Sequence, residues 1–204
     1  MKKTESQNYW IKRNKNDRFI KLSKYEGYRS RAAYKLLEIN EKFKIIKKYS
    51  KVADLGASPG GWTQVVSKLS NNTITAVDKL TMLPIKNCIF INDDIENLVN
   101  SKNKFIEQNS YDVVLSDMAT NSSGHRYTDI AKSEKICYLA LNFAIKFLKT
   151  NGTFVCKIMR NSIEKNFKND LSRIFKKTKA FKPSSSRTES KEIYLVALGF
   201  NNLH

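Results

Sequence analysis

Apolar residues along this chain follow two periods, and the switches between them lay out the fold. Short apolar runs at 51–55, 73–78, 87–91, 111–116 and 153–159 predict strands. Between them the apolar positions step by three and four. Ala32, Leu36, Ile39 and Phe43 give one face to a helix over 31–43, with Ser30 as its cap and Lys35 beside that face. Helices are also predicted over 62–69, 131–149 and 162–177. The second of these carries Ile136, Ala140, Phe143 and Phe147 and runs into Asn151-Gly152, a stop signal. The third carries Ile163, Phe167, Leu171 and Ile174 behind Ser162 as cap. The polar stretch 95–109 has room for a short helix. Residues 1–28 show no clean period and predict an irregular or partly helical arm.

Strands alternating with amphipathic helices predict a doubly wound α/β sheet. The end of the chain breaks the alternation. Segments 178–182 and 192–200 are both strand-like, with only Pro183 to Lys191 between them. Without a crossover helix they must pair antiparallel. The expected architecture is therefore a mostly parallel seven-stranded sheet, closed by a C-terminal antiparallel hairpin and flanked by helices on both faces. No repeat or low-complexity linker marks a second domain. The expected division is a basic arm over 1–28 and one α/β domain over 29–204.

The first strand leads into Asp54-Leu55-Gly56-Ala57-Ser58-Pro59-Gly60-Gly61-Trp62. This is a strand, a glycine-rich turn and a helix start. Gly56, Gly60 and Gly61 would let backbone approach a ligand where a Cβ would clash. Amides at a helix start can take a carboxylate or phosphate. The bland alternative is a tight βα turn with no ligand. The turn reads D-x-G-x-x-P-G-G rather than G-x-G-x-x-G, which argues against a nicotinamide dinucleotide and for another adenosine ligand.

Charge adds a second theme. The 204 residues carry a net +18, and residues 1–31 alone hold ten Lys/Arg against three acids. Tyr9, Trp10, Phe19, Tyr25 and Tyr28 are interleaved with these charges. Basic and aromatic residues together suit a nucleic-acid backbone and unstacked bases. A solvated basic tail is the alternative. Cys88, Cys137 and Cys156 show no C-x-x-C spacing and read as small core residues in a reducing compartment. His125 and His204 cannot build a zinc cluster, so no metal site is expected. No long apolar stretch and no apolar leader appear, so no membrane association is expected. The expected location is cytoplasmic. A mitochondrial or other organelle matrix stays open, although Glu5 and Asp17 disfavour a presequence.

In open α/β sheets, ligands bind beyond the carboxyl ends of the parallel strands. There the chain places the glycine turn, Asp78, Asp93-Asp94, Asp117 and Lys157, and the amino end of the antiparallel last strand adds Glu192. Asp78 lies where an acidic residue accepts hydrogen bonds from ribose hydroxyls. Lys157 follows Phe154-Val155-Cys156 on a central strand, where a lysine is rarely buried without a partner. Either its stem snorkels to the edge or Asp117 meets it. Desolvation and a nearby Lys35 would disfavour its charged form, which is how a lysine becomes a usable base.

These residues together resemble the FtsJ-like RNA 2′-O-ribose methyltransferases. The resemblance rests on Arg29-Ser30-Arg31-Ala32-Ala33-Tyr34-Lys35-Leu36, Asp54 to Trp62, Val114 to Ala119, Phe154 to Lys157, and Lys182 to Arg187 with Glu192-Ile193-Tyr194. It covers residues 29 to 200, and the set is far more specific than any one stretch. It implies a Rossmann-like fold with S-adenosylmethionine as cofactor. It implies a catalytic tetrad of Lys35, Asp117, Lys157 and Glu192, with Lys157 as general base. It also implies cofactor contacts at Gly60, Trp62, Asp78, Asp94 and Asp117. Two positions depart from the family pattern: Asp93, where glycine is usual, and Thr120, where proline is frequent. Asp93 would compete with Asp94 for the adenine. Thr120 would loosen the loop 119–130.

The resemblance further implies a monomer acting on a uridine of large-subunit ribosomal RNA, within the ribosomal subunit. Arg187, Lys191 and the basic arm would hold RNA phosphates. Two alternatives stay open at this point: a relative acting on transfer RNA or messenger RNA caps, and an idle RNA-binding assembly factor on the same fold.

Overall fold

The computed structural model describes residues 17–100, 106–120, 123–160 and 164–201. Helices α1 (Arg18–Tyr25) and α2 (Ala32–Phe43) precede the sheet. Then follow β1 (Val52–Leu55), α3 (Gly61–Leu69), β2 (Ile74–Asp78), β3 (Cys88–Asn92), α4 (Ile95–Asn100) and β4 (Tyr111–Ser116). The chain continues through α5 (Arg126–Phe147), β5 (Leu148–Met159), α6 (Glu164–Ile174), β6 (Phe175–Phe181) and β7 (Glu192–Phe200). The strands form one seven-stranded sheet in the order β3-β2-β1-β4-β5-β7-β6. The first five run parallel, and β7 inserts antiparallel between β5 and β6. The expected architecture is thus the observed one.

Both sheet faces are covered. On one, Ala33, Leu36, Ile39, Trp62 and Val65 from α2 and α3 pack on Val113, Leu115, Val155 and Tyr194. On the other, Leu98 from α4, Phe143 from α5 and Phe167 from α6 pack on Leu55, Val114, Phe154 and Leu195. Each large apolar side chain buried this way contributes about 1.5–3 kcal/mol. Alternation along β5 sends Val155 to the first face and Cys156 to the second, so Lys157 shares the first face with α2.

Element ends moved where side chains compete. Ser30 does not cap α2; its hydroxyl packs where a Cβ on Gly61 would overlap it. Helix α5 begins at Arg126 rather than 131 and stops at Phe147. Strand β5 starts at once, so Asn151-Gly152 forms a turn inside that strand with Asn151 at φ 65° rather than capping the helix. Residues 175–177 belong to β6, because Phe175 enters the core beside Phe154 and Phe200. Ser162, His204 and the first sixteen residues lie outside the described residues. Within the expected arm, Asp17 caps α1 through the amides of Phe19 and Ile20. Phe19 and Tyr28 then pack on Tyr34 of α2.

Candidate active site

The carboxyl edge collects the charged residues in pairs. Register sets Lys157 of β5 opposite Tyr194 of β7, and Asp117 follows directly on β4. The Lys157 Nζ lies 3.1 Å from Asp117 Oδ1 and donates to the Asp117 carbonyl at 2.6 Å. The Tyr194 hydroxyl donates to the same Oδ1 at 2.7 Å. Burial alone would lift the Asp117 carboxyl. Lys157, Lys35 and the Tyr194 hydroxyl outweigh it and hold the group below the ordinary carboxylate range. Lys35, on α2, pairs with Glu192 at 2.5 Å and lies 5.9 Å from the Tyr194 ring centroid. Helix α2 and strands β4, β5 and β7 therefore bring all four tetrad positions together around Tyr194.

Beside this cluster runs a cleft of about 670 Å³, lined by Gly56, Ser58, Asp78, Asp94, Asp117 and Ile136 among others. Asp78 bridges the turn: its Oδ2 accepts from the Ser58 amide at 2.9 Å and its Oδ1 from the Leu80 amide at 2.8 Å. Asp94 pairs with Lys79 at 2.6 Å; burial opposes its ionisation, but Lys79 and the Glu96 amide depress its pKa. Asp93 also lines the cleft, but its Oδ1 accepts from the Asp94 amide and the Asn97 side chain, at 2.6 and 2.8 Å. An adenosine ligand fits this set, because Asp78 and Asp94 offer acceptors to ribose hydroxyls and an amine. The volume lies within the usual range for ligand clefts.

The glycines serve packing more than ligand approach. Gly56 and Gly60 have φ of 76° and 110°, a region that favours glycine. A Cβ at Gly56 would strike Met118, and one at Gly60 would strike Ile85, Arg29 and Met82. Gly60 and Trp62 are not among the cleft's lining residues. The Trp62 ring is buried, donates from Nε1 to the Ala32 carbonyl at 2.8 Å and packs on Tyr194. It supports the cluster from below.

On the α2 side a second opening, about 460 Å³, is lined by Arg31, Lys35, Arg187, Lys191 and Glu192 among others. Here the arm intervenes. Asp17, its side chain only 9% exposed, accepts from both Arg31 and Arg187. Arg187 is therefore engaged before any phosphate arrives.

Two residues were not legible as functional from sequence. Tyr194 had a signal: it lies two residues after Glu192, on the same strand face. Asp54 had none beyond its place in the turn. It is fully buried, its Oδ2 accepts from the Thr63 hydroxyl at 2.6 Å, and among the described residues its Oδ1 has no hydrogen-bond partner. Burial pushes its carboxyl up to about 7.

Comparisons with known proteins bear on the family and the fold. The model of the FtsJ-like methyltransferase family matches residues 28–200. A ribosomal RNA large subunit methyltransferase E of Anaplasma phagocytophilum is 46% identical over 197 residues, covering 94% of this chain and 80% of that protein. Its namesake in Rickettsia akari is 45% identical, covering 97% of this chain and 90% of that protein. A crystal structure described as a ribosomal RNA methyltransferase of Plasmodium falciparum superposes with a TM-score of 0.74 at 30% identity. It covers 85% of this chain and 98% of its own.

Proposed function

The chain belongs to the FtsJ-like methyltransferase family, and from that premise we propose that it methylates ribose 2′-hydroxyls of large-subunit ribosomal RNA with S-adenosylmethionine as donor. The observation that carries this reading is the Lys157–Asp117 pair. It stands between a cleft suited to an adenosine ligand and an opening lined by Lys35, Arg187 and Lys191.

A sulfonium donor supplies an already activated methyl group. What remains for the protein is to orient the 2′-hydroxyl and take its proton. Lys157 is the proposed base, accepting the proton at Nζ when neutral. The Asp117 carboxylate and carbonyl hold that nitrogen from two sides, and Tyr194 fixes the carboxylate. Lys35 and Glu192, already paired, position the target ribose. Asp78 and Asp94 hold the adenosine part of the donor. Asp93 accepts on Oδ1 from its own turn, and Asp94 is held by Lys79 and the Glu96 amide; Asp94 is the adenine contact proposed from the family resemblance. Gly60 contributes through its backbone and Trp62 through support of Tyr194. A uridine within the large subunit is the proposed target. The chain is proposed to act as a monomer, in the cytoplasm as suits its bacterial relatives. Among the described residues no helix is long and apolar enough to cross a membrane.

The test is transfer of labelled methyl to large-subunit ribosomal RNA, intact large subunits and transfer RNA, followed by mapping. A 2′-O-methylated uridine in the large-subunit RNA is expected. Label confined to transfer RNA, or RNA binding without transfer, would overturn the reading.

A further inference from the structure

The amino edge of the sheet, opposite the catalytic edge, holds a cleft of about 610 Å³ that the reaction does not use. Lys44, Lys47, Lys48, Tyr49, Lys149 and Asn151 line it. Lys149 is held by Asp112 at 3.0 Å. Lys44, Lys47 and Lys48 are exposed, and none meets a carboxylate among the described residues. Asp112 also lines the cleft but is the one carboxylate among four lysines there, and like charges in excess repel one another.

Three further observations show that this is a built surface rather than a solvated run. First, the turn bearing Lys47, Lys48 and Tyr49 is pinned at every carbonyl. Lys47 O accepts from the Ser50 amide at 3.0 Å and Lys48 O from the Asn71 amide at 2.7 Å. Tyr49 O accepts from the Asn72 side chain at 3.1 Å and Ser50 O from the Ser70 hydroxyl at 2.7 Å. Second, this rigid turn presents the Tyr49 ring 68% exposed, with Lys48 Nζ 5.5 Å from its centroid. A fixed aromatic ring turned to water gains nothing for the fold. Third, Lys44 ends α2 at φ 51°, where glycine is favoured and a lysine is strained.

We propose that this cleft is a second RNA contact. Lys44, Lys47 and Lys48 take backbone phosphates while Tyr49 stacks on an unpaired base. Stacking is insensitive to base identity, and lysines serve phosphates as point charges, so the pair suits single-stranded RNA. An acidic protein would use the lysines but has no need of an exposed ring. The inference rests on the RNA substrate proposed above. Thr153, at the cleft, and Lys157, at the catalytic edge, are separated along β5 by roughly 13 Å at the usual rise per residue. One RNA could therefore engage both edges by passing around the domain, with the target at one and an anchoring strand at the other.

The test uses the full chain and an in-vitro transcript of large-subunit ribosomal RNA carrying 4-thiouridine. A photo-crosslink to the peptide containing Tyr49 is expected. Lys47→Ala with Lys48→Ala should shrink the salt slope of RNA binding by about 1.4–1.8. The same pair should raise KM for RNA and leave kcat at saturating RNA unchanged. Lys44→Gly should melt higher, because glycine suits the left-handed backbone, yet bind RNA more weakly; a structural role would not give those opposite signs. Crosslinks confined to the catalytic edge with an unchanged salt slope would overturn the inference. So would displacement by polyglutamate as readily as by RNA with no crosslink at Tyr49. A wild-type protein that binds the transcript but transfers methyl neither to it nor to intact large subunits would instead sink the enzymatic reading, and leave the crosslink and salt slope to decide the second contact.

Discussion

The two edges of the sheet use the same side chain in opposite ways. At the carboxyl edge, Lys157 and Lys35 are each only 12% exposed and each meets a carboxylate. At the amino edge, Lys44, Lys47 and Lys48 are exposed and meet none among the described residues. The difference follows from desolvation. A buried ammonium without a partner is strongly disfavoured, so these two lysines must arrive already held, which also fixes their geometry. Surface lysines keep their hydration and can wait for a polyanion. Burial thus decides which of these lysines must arrive paired.

The largest expected effect tests the paired edge. Lys157→Ala should lower the methyl-transfer rate by about 10²–10⁴ while cofactor and RNA binding persist. Lys157→Arg should be nearly as inactive, because a guanidinium cannot accept the proton. Single-turnover methyl-transfer rates of the wild type and the two variants check this. Substantial activity in the arginine variant would make Lys157 a charge clamp like the lysines of the other edge.

The second test compares two carboxylates at that edge. Asp117 is depressed by its cationic neighbours, whereas burial raises Asp54 to about 7. Between the unfolded value near 3.9 and about 7, the folded chain keeps a proton at Asp54 that the unfolded chain has lost. That contribution is complete at low pH and disappears as pH rises to about 7, an effect of up to roughly 4 kcal/mol. Asp117 has the opposite sign: its contribution is present above the ordinary carboxylate range and is lost on acidification. Melting temperature against pH should therefore decline less between pH 5 and 8 in Asp54→Asn than in the wild type. Parallel curves would mean Asp54 keeps its charge through that range.

Next comes Asp78→Ala. Removing a charged acceptor costs roughly 1.5–3 kcal/mol, about ten- to a hundredfold in S-adenosylmethionine affinity. Unchanged affinity by calorimetry would remove Asp78 from the cofactor site. The last test concerns the arm. Deleting 1–16 removes Lys2, Lys3, Lys12, Arg13 and Lys15. It should reduce the RNA salt slope by at most about 4.5 without moving the melting temperature. Deleting 1–28 also removes Asp17 and α1, and should destabilise the fold by removing the carboxylate that Arg31 and Arg187 share. Equal melting curves for the two truncations would show that α1 is not part of the domain's stability.

Sequence alone determined the strand and helix order, the antiparallel hairpin and the convergence of Asp78, Asp117, Lys157 and Glu192 on one edge. Local periodicity and connection length suffice for these, because a parallel sheet leaves one place for the strand ends. Contacts between distant segments decided the rest. Tyr194 became the centre of the tetrad only through its register opposite Lys157. Gly61 needs to be glycine because Ser30 packs on it from thirty-one positions away. Trp62 turned inward because the Ala32 carbonyl was there to receive its Nε1. The end of the arm joined the domain because Asp17 found two arginines, one on each side of the chain's length. None of these has a local period. Each depends on which backbone another segment brings within hydrogen-bond or van der Waals reach, and only the folded chain specifies that.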